Sequence, residues 1–221
     1  MDASFGSGVY SLPEAGRLLN VPSSTIRHWL FGYSYSHHGP MTKQAPLWHP
    51  QYGLDQDEPL LGFRDLLEAR IVRGLRNSGL GLQTIRDCLK VAREIVSDDH
   101  PFSTRKFKTD GNSLYLEIED RVLDLKKNQL VFRKVIAPSF VDLDYDVDSV
   151  SRWWLNPSKR TIVLDPQRSF GQPIVADTGV STRRIAQVVA AEGSIEAAAR
   201  LFELSPSLVR DALAFERRTV H

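Results

Sequence analysis

Leu12, Ala15, Leu18 and Leu19 recur at helical spacing and form one apolar stripe. Asn20-Val21-Pro22 interrupts the period, and Ile26, Trp29 and Leu30 start a second stripe. Pro22 disfavours helix at the residue before it but suits a helix's first turn. Ser23 and Ser24 can accept hydrogen bonds from the free N–H groups of a new helix. The pattern predicts two short helices and a tight turn over residues 12–30. Ser24, Thr25, Arg27 and His28 fall outside the second stripe, which gives that helix a polar, cationic outer face. A DNA major groove accepts such a face, although an ordinary helical hairpin has the same apolar spacing.

Further along, Phe63, Leu66, Leu67, Ile71 and Leu75 form the apolar face of a helix over 63–77, with Arg64, Arg73 and Arg76 pointing elsewhere. Gly79 and Gly81 break it, and a second helix follows over 82–96. Pro46-Leu47-Trp48 and Pro59-Leu60-Leu61 are candidate short strands. Residues 105–109 and 114–118 read as a hairpin around Asp110-Gly111, with another strand over 121–125. The stretch from Leu130 to Phe140 fits a helix that Pro138 kinks or ends. Asp142, Asp144, Asp146 and Asp148 alternate with apolar residues. They lack the glycine-bearing turn and late glutamate of a calcium loop, so they read as a solvated strand or loop edge. Trp153-Trp154-Leu155 and 161–164 are short strands, with the tryptophans in a core or interface. Ser181 or Thr182 caps a helix that Gly193 stops, Ser194 caps a second and Ser205-Pro206 starts a third.

The opening motif returns 183 positions later. LPEAGRLLNVPSSTIRHWL lies over IEAAARLFELSPSLVRDAL without a gap. Ala15, Arg17, Leu18, Ser24, Arg27 and Leu30 meet identical residues at Ala198, Arg200, Leu201, Ser207, Arg210 and Leu213. The copies differ in charge. The first has one acid, Glu14; the second has Glu196, Glu203 and Asp211, with Glu216 just beyond. Carboxylates near a phosphate backbone are repelled, so DNA is assigned to the first copy and a protein interface, or only core packing, to the second.

Charge sharpens this reading. The chain has 28 Lys+Arg against 27 Asp+Glu and a net charge of +1. Yet no acidic residue occurs between Glu14 and Asp55, a stretch that holds Arg17, Arg27, Lys43 and four histidines. Those histidines fit no familiar zinc spacing, and no metal or other cofactor is expected. The single Cys88 falls on a helical stripe with Leu82, Ile85, Leu89 and Ala92, which suggests a buried thiol, not a nucleophile. One cysteine forms no internal disulfide, which suits a reducing cytoplasm. No apolar run is long enough to span a membrane, and the N-terminus lacks the features of a signal peptide. Without a phosphate-binding glycine loop, nucleophile elbow or metal-ligand spacing, no enzymatic activity is expected.

Two family resemblances follow from quoted motifs. VPSSTIRHWL, then PLWHP, then PLLGFRDLLEARIVRGLRNSGLGLQTIRDCLKVAREI resembles the winged helix-turn-helix domain of MerR-type transcription regulators over residues 8–96. It departs in a long connection from Phe31 to Leu61, read as an enlarged wing, and in lacking the family's dimerising coiled coil. Asp165-Pro166, Gly171-x-Pro173-Ile174, Thr178-Gly179-Val180 and the closing Ser205-Pro206-x-x-Val209-Arg210 run resemble the small helical domain of VapB-type antitoxins, over 162–217. Those antitoxins neutralise PIN-type ribonucleases.

Together these give an α+β, mainly α fold. Expected domains are a MerR-like winged helix-turn-helix at 1–98, a mixed α/β middle module at 99–161, and a helix-turn-helix-like three-helix domain at 162–221. The resemblances imply a DNA-binding antitoxin, a homodimer, that neutralises a PIN-type toxin and represses its own operon. The alternative is a MerR-like regulator sensing a small molecule. Candidate operator contacts are Arg17, Ser23, Ser24, Thr25, Arg27, His28, Tyr33, His37, His38 and Lys43; Arg27 could meet a guanine edge or a phosphate. Candidate toxin contacts are Arg183, Arg184, Arg217 and Arg218, since guanidinium groups pair with carboxylates of an acidic cleft.

Overall fold

The computed structural model describes residues 8–36, 40–53, 58–109, 117, 118, 120–122, 134 and 136–218. They divide into two compact units, one holding residues 10–141 and 145–150, the other 8, 9, 142–144 and 151 onward. Residues 99–161, expected as a module of their own, are shared between the two. Among the described residues no helix is long and apolar enough to cross a membrane.

In the first unit, β1 (Val9–Ser11) runs directly into α1 (Leu12–Leu19). Ser11 and Glu14 form a reciprocal capping box. The Ser11 hydroxyl accepts from the Glu14 N–H, and the Glu14 carboxylate accepts from the Ser11 backbone at 2.9 Å. Asn20 ends the helix in the left-handed region, φ 50°, where Val21 N–H donates to the Gly16 carbonyl at 3.0 Å. A Cβ on Gly16 would lie 2.8 Å from the Val21 oxygen, so only glycine lets this turn close. α2 (Ser23–Phe31) follows with Pro22, not a serine side chain, at its cap. The Ser23 hydroxyl donates instead to the Leu12 carbonyl at 3.3 Å and ties the two helices together. Ala15, Leu19, Ile26, Trp29 and Leu30 are buried as their spacing requires.

The wing strands are β2 (Tyr33–Tyr35) and β3 (Thr42–Gln44), antiparallel with Ser34 opposite Lys43. The expected strand at 46–48 is not one. Leu47 N–H donates back to the Trp29 carbonyl at 2.8 Å, and the buried Trp48 indole donates to Asp65 at 2.8 Å. These apolar residues sink the wing's exit into the core and so leave the sheet. β4 (Leu60–Gly62) forms as expected and pairs with β1. α3 (Phe63–Asn77) and α4 (Leu82–Val96) match the apolar periods. Cys88 is fully buried, and burial first, then the Asp87 charge, pushes its thiol up to about 12.

A buried polar cluster locks α3 to its surroundings. Asp65, fully buried, accepts from the Trp48 indole and Gly62 N–H and meets His100 Nε2 at 2.8 Å. Glu68 accepts from the Phe102 and Ser103 N–H groups at 2.9 and 3.3 Å.

Two corrections fall after His100. Residues 105–109 are helix α5 (Arg105–Thr109), not a strand. The Thr104 hydroxyl accepts from Phe107 N–H at 3.3 Å, and Phe107 packs edge-on against Phe102 at 4.8 Å. Glu117, Ile118, Asp120 and Arg121 are also helical, so the expected strands at 114–118 and 121–125 do not form at those positions. Asp110-Gly111-Asn112 lies outside the described residues. Lys134 and Ile136 are helical, and Pro138 sits in the first turn of a 3-10 segment, Ala137–Phe140.

The second unit is built on a sheet ordered β5 (Leu143–Tyr145), β6 (Val150–Trp154), β7 (Ile162–Leu164), β8 (Pro173–Val175). Trp154 pairs Val163 and Val163 pairs Ile174, and these three form a buried cluster. Asp142 and Asp144 accept from the Trp153 and Trp154 indoles at 3.1 and 2.8 Å, a role their alternation did not reveal. α6 (Thr182–Glu192), α7 (Ile195–Leu201) and α8 (Pro206–Arg218) pack against one another. Ser194 caps α7 by accepting from Ala197 N–H, whereas Ser181 makes no side-chain cap to α6.

The sequence repeat is also a geometric one. Ser11 and Ser194 cap the first helices, which start at Leu12 and Ile195; the second start at Ser23 and Pro206. Val21 N–H to Gly16 and Leu204 N–H to Ala199 close the turns at 3.0 and 2.9 Å.

Candidate nucleic-acid interface

α2 buries Ile26, Trp29 and Leu30, so its outward positions are fixed by packing on the inner face. Ser24, Arg27 and His28 are exposed there, and Thr25 is half-buried. The single acid of the motif, Glu14, faces the amides of its own helix cap, a favourable place for negative charge. The α2 surface therefore carries cationic and hydroxyl groups without a carboxylate of its own.

The wing is held beside this face. Gly32 turns the chain with φ 71°, and a Cβ there would stand 2.2 Å from the Gln44 carbonyl. The Tyr33 ring lies 4.7 Å from the His28 imidazole and 5.8 Å from Tyr35, so the wing's first strand packs beside α2. Lys43 is exposed on the second strand. Arg86 of α4 donates to the Ala45 and Pro46 carbonyls at 3.0 and 2.9 Å and fixes the wing's return.

Between α2 and the end of α3 lies a cleft of about 450 Å³, lined by Asn20, Thr25, His28, Tyr33, Arg73 and Arg76 among others. The Arg73 guanidinium donates to the Leu19 carbonyl and Arg76 to the Leu80 carbonyl at 2.8 Å. Burial, with the Arg70 charge second, lowers the Arg73 pKa from its ordinary value. These two arginines were visible only as residues off the apolar face of their helix. Their place in the same cleft as His28 depends on tertiary packing, which no local pattern encodes.

Of the ten expected operator contacts, Ser24, Thr25, Arg27, His28, Tyr33 and Lys43 lie on α2 and the adjoining wing strands. Ser23 is half-buried and engaged with Leu12. Arg17 is half-buried on α1. His37 and His38 lie outside the described residues. In the second unit, Arg183 and Arg184 are exposed in the first turn of α6, and Arg217 and Arg218 in the last turn of α8. The Thr182 hydroxyl donates to Glu216 at 2.5 Å, which brings these two helix ends, and so the four arginines, to one end of the helical layer.

Two family models match separate stretches of the chain. Residues 8–89 match the family described as "Putative DNA-binding HTH domain", and residues 162–215 match "Protein of unknown function (DUF433)". "Putative antitoxin VapB45" of Mycobacterium tuberculosis is 25% identical across 96% of this chain and 95% of its own length. The crystal structure of Rv2018 from Mycobacterium tuberculosis is similar with a TM-score of 0.74 at 23% identity, covering 95% of this chain and 99% of that one. The chain thus has a mixed α+β, mainly helical fold whose N-terminal domain is a helix-turn-helix.

Proposed function

We propose that this chain is a DNA-binding antitoxin of a toxin–antitoxin system, in which the first unit binds operator DNA and the second holds the toxin. The observation that carries the reading is the exposed Arg27–His28 face of α2, continued by Lys43 on the wing, with no acid on α2 or on the two wing strands. Phosphates are attracted to such a surface from every sequence, while Arg27, Ser24 and Thr25 are placed to meet base edges. The full-length similarity to an antitoxin supports the toxin partner. The MerR-like character, the homodimer, the PIN-type ribonuclease and repression of the chain's own operon belong to the same proposal. A dimer would double the phosphate contacts and match a two-fold operator. Recovery of the chain from its native host tests the reading. It should bring down a small acidic ribonuclease encoded next door and retard the DNA upstream of both genes.

A second reading, a MerR-like regulator that senses a small molecule, is favoured by the cleft beside His28. Because Thr25 and His28 line both cleft and groove-facing surface, a ligand there would compete with DNA. A metabolite that raises the melting temperature and releases operator would support it; stable association with a ribonuclease would not.

A further inference from the structure

The motifs at 165–166, 171–174 and 178–180 supply no chemistry to the reading above, yet the structure gathers them around one turn. Ser169 and Phe170 both adopt left-handed backbone, φ 49° and 54°. That conformation crowds Cβ against the carbonyl in any residue but glycine, and two in succession need outside support. The support is extensive. Buried Asp165 accepts from Gln167 N–H through its side chain and from Arg168 N–H through its carbonyl, both at 3.0 Å. Gly171 N–H donates to Arg168 and Gln172 N–H to Ser169, at 2.9 and 3.0 Å. The Ser169 hydroxyl donates to the Gly179 carbonyl at 3.1 Å, and Arg168 to the Asp177 carbonyl at 3.3 Å. Gly179 is itself left-handed, φ 76°, and a Cβ there would meet the Arg168 guanidinium at 2.8 Å. Asp165, Gly171, Asp177 and Gly179 therefore belong to one device that fixes the Ser169–Phe170 turn.

The device leaves the Phe170 side chain 72% exposed. A strained, rigid turn with an aromatic facing solvent contributes little to its own fold. It matches the anchors that dominate protein interfaces, where a rigid aromatic fills a partner's pocket. The turn itself carries Arg168, whose guanidinium reaches the Asp177 carbonyl, and Arg183 and Arg184 follow in the chain as exposed cations at the start of α6. We propose that Phe170 is the anchor by which the second unit grips its ribonuclease toxin. It would enter an apolar pocket on the toxin, with these arginines paired to carboxylates at the pocket's rim. The proposal rests on the antitoxin reading and names its contact. A protein pocket suits it better than a nucleic-acid strand, since strand-binding surfaces present successive aromatics along a groove. Among the described residues of the second unit, Phe170 is the single exposed aromatic of its size.

The test uses the full-length chain and the ribonuclease recovered with it. Phe170→Ala and Phe170→Gly should weaken toxin binding at least about tenfold, and Phe170→Trp should restore it to within about threefold. Phe170→Gly should at the same time raise the melting temperature, because glycine relieves the left-handed strain. Operator affinity should not change. Wild-type affinity in both the Ala and Gly variants overturns the anchor and leaves the antitoxin reading standing. A wild-type chain that binds no ribonuclease overturns both. Loss of DNA affinity with toxin binding intact would move Phe170 to a nucleic-acid surface and also overturns the proposal.

Discussion

Asn20 and Glu203, 183 positions apart, hold the same left-handed backbone at the same step of two helix-turn-helix motifs, with φ of 50° and 55°. What differs is the second helix of each. His28 of α2 is exposed beside the wing. Its counterpart on α8, Asp211, accepts from Lys159 Nζ at 2.5 Å and from the Thr161 hydroxyl at 2.9 Å. Burial would raise the Asp211 pKa, but these two hydrogen bonds outweigh it and lower it below its ordinary value. The segment around 159–161 thus occupies the position that matches His28, whereas Ser207 and Arg210, the counterparts of Ser24 and Arg27, stay exposed.

The shared turn gives a stability test. Left-handed backbone costs most residues about 1–2 kcal/mol, and less for asparagine, whose side chain bonds locally. Glu203 is exposed, so its replacement by glycine removes the strain with no packing lost. Glu203→Gly should raise the melting temperature by roughly 2–4 °C, the shift expected for about 1 kcal/mol in a chain this long. Asn20→Gly should gain less. Calorimetry on both variants checks the order, and an equal or reversed gain would show that the turns are not equivalent.

Arg27 carries the operator reading. Its side chain is exposed, so Arg27→Ala should leave the melting temperature near wild type. Operator affinity should drop by more than about 1 kcal/mol if the guanidinium reads a base edge. If it meets a phosphate, the loss should instead be uniform across sequences, and the slope of log affinity against log salt should fall by about one. Titrations on operator and scrambled DNA at several salt concentrations separate these outcomes. No effect on any of them would remove Arg27 from the interface.

Gly32 is where helix becomes wing. A Cβ at its φ of 71° would collide with the Gln44 carbonyl, a backbone atom that no side-chain rotation can move away. Gly32→Ala should therefore displace the β2–β3 hairpin, separate Tyr33 from His28 and weaken DNA binding at least about tenfold, a cost of ~1.4 kcal/mol. Loss of the Tyr33 proximity signals to the His28 ring in NMR would report the displaced wing directly.

How much of this could be read from the chain depends on the range of the forces involved. α3 and α4 were legible to the residue, since apolar period, flanking glycines and helix ends are all local. The repeat was legible because identical residues recur in register. Residues 105–109 were misread because Asp110-Gly111 is a strong hairpin signal. The competing signal, Thr104 capping Phe107, was just as local and pointed to helix. The Trp48–Asp65–His100 cluster was not legible, because its members are 17 and 35 positions apart and meet only in the folded core. Arg73 and Arg76 belong to the same class. Their type was evident, and their place in the cleft that His28 also lines was set by tertiary packing.

Glu68 offers a pH test of that core. The carboxyl is fully buried, and burial raises its pKa well above the ordinary 4.5, against the nearby Arg64 charge and the Phe102 and Ser103 N–H groups. Folded Glu68 then keeps its proton at pH values where the unfolded chain has lost it, so unfolding releases a proton. Stability must fall as pH rises from about 4.5 through the folded value, and the penalty is full above it. Glu68→Gln keeps the oxygen that accepts from Phe102 and Ser103 but carries no ionisable group. The variant should be more stable than wild type at pH 8, and the two should converge as pH approaches 4.5. Arg64, Asp65 and His100 are common to both proteins, so their own contributions to the pH profile cancel to first order in the difference. Melting curves from pH 5 to pH 8 decide the matter: a constant gap between the two proteins would mean that Glu68 ionises in the fold as it does in water.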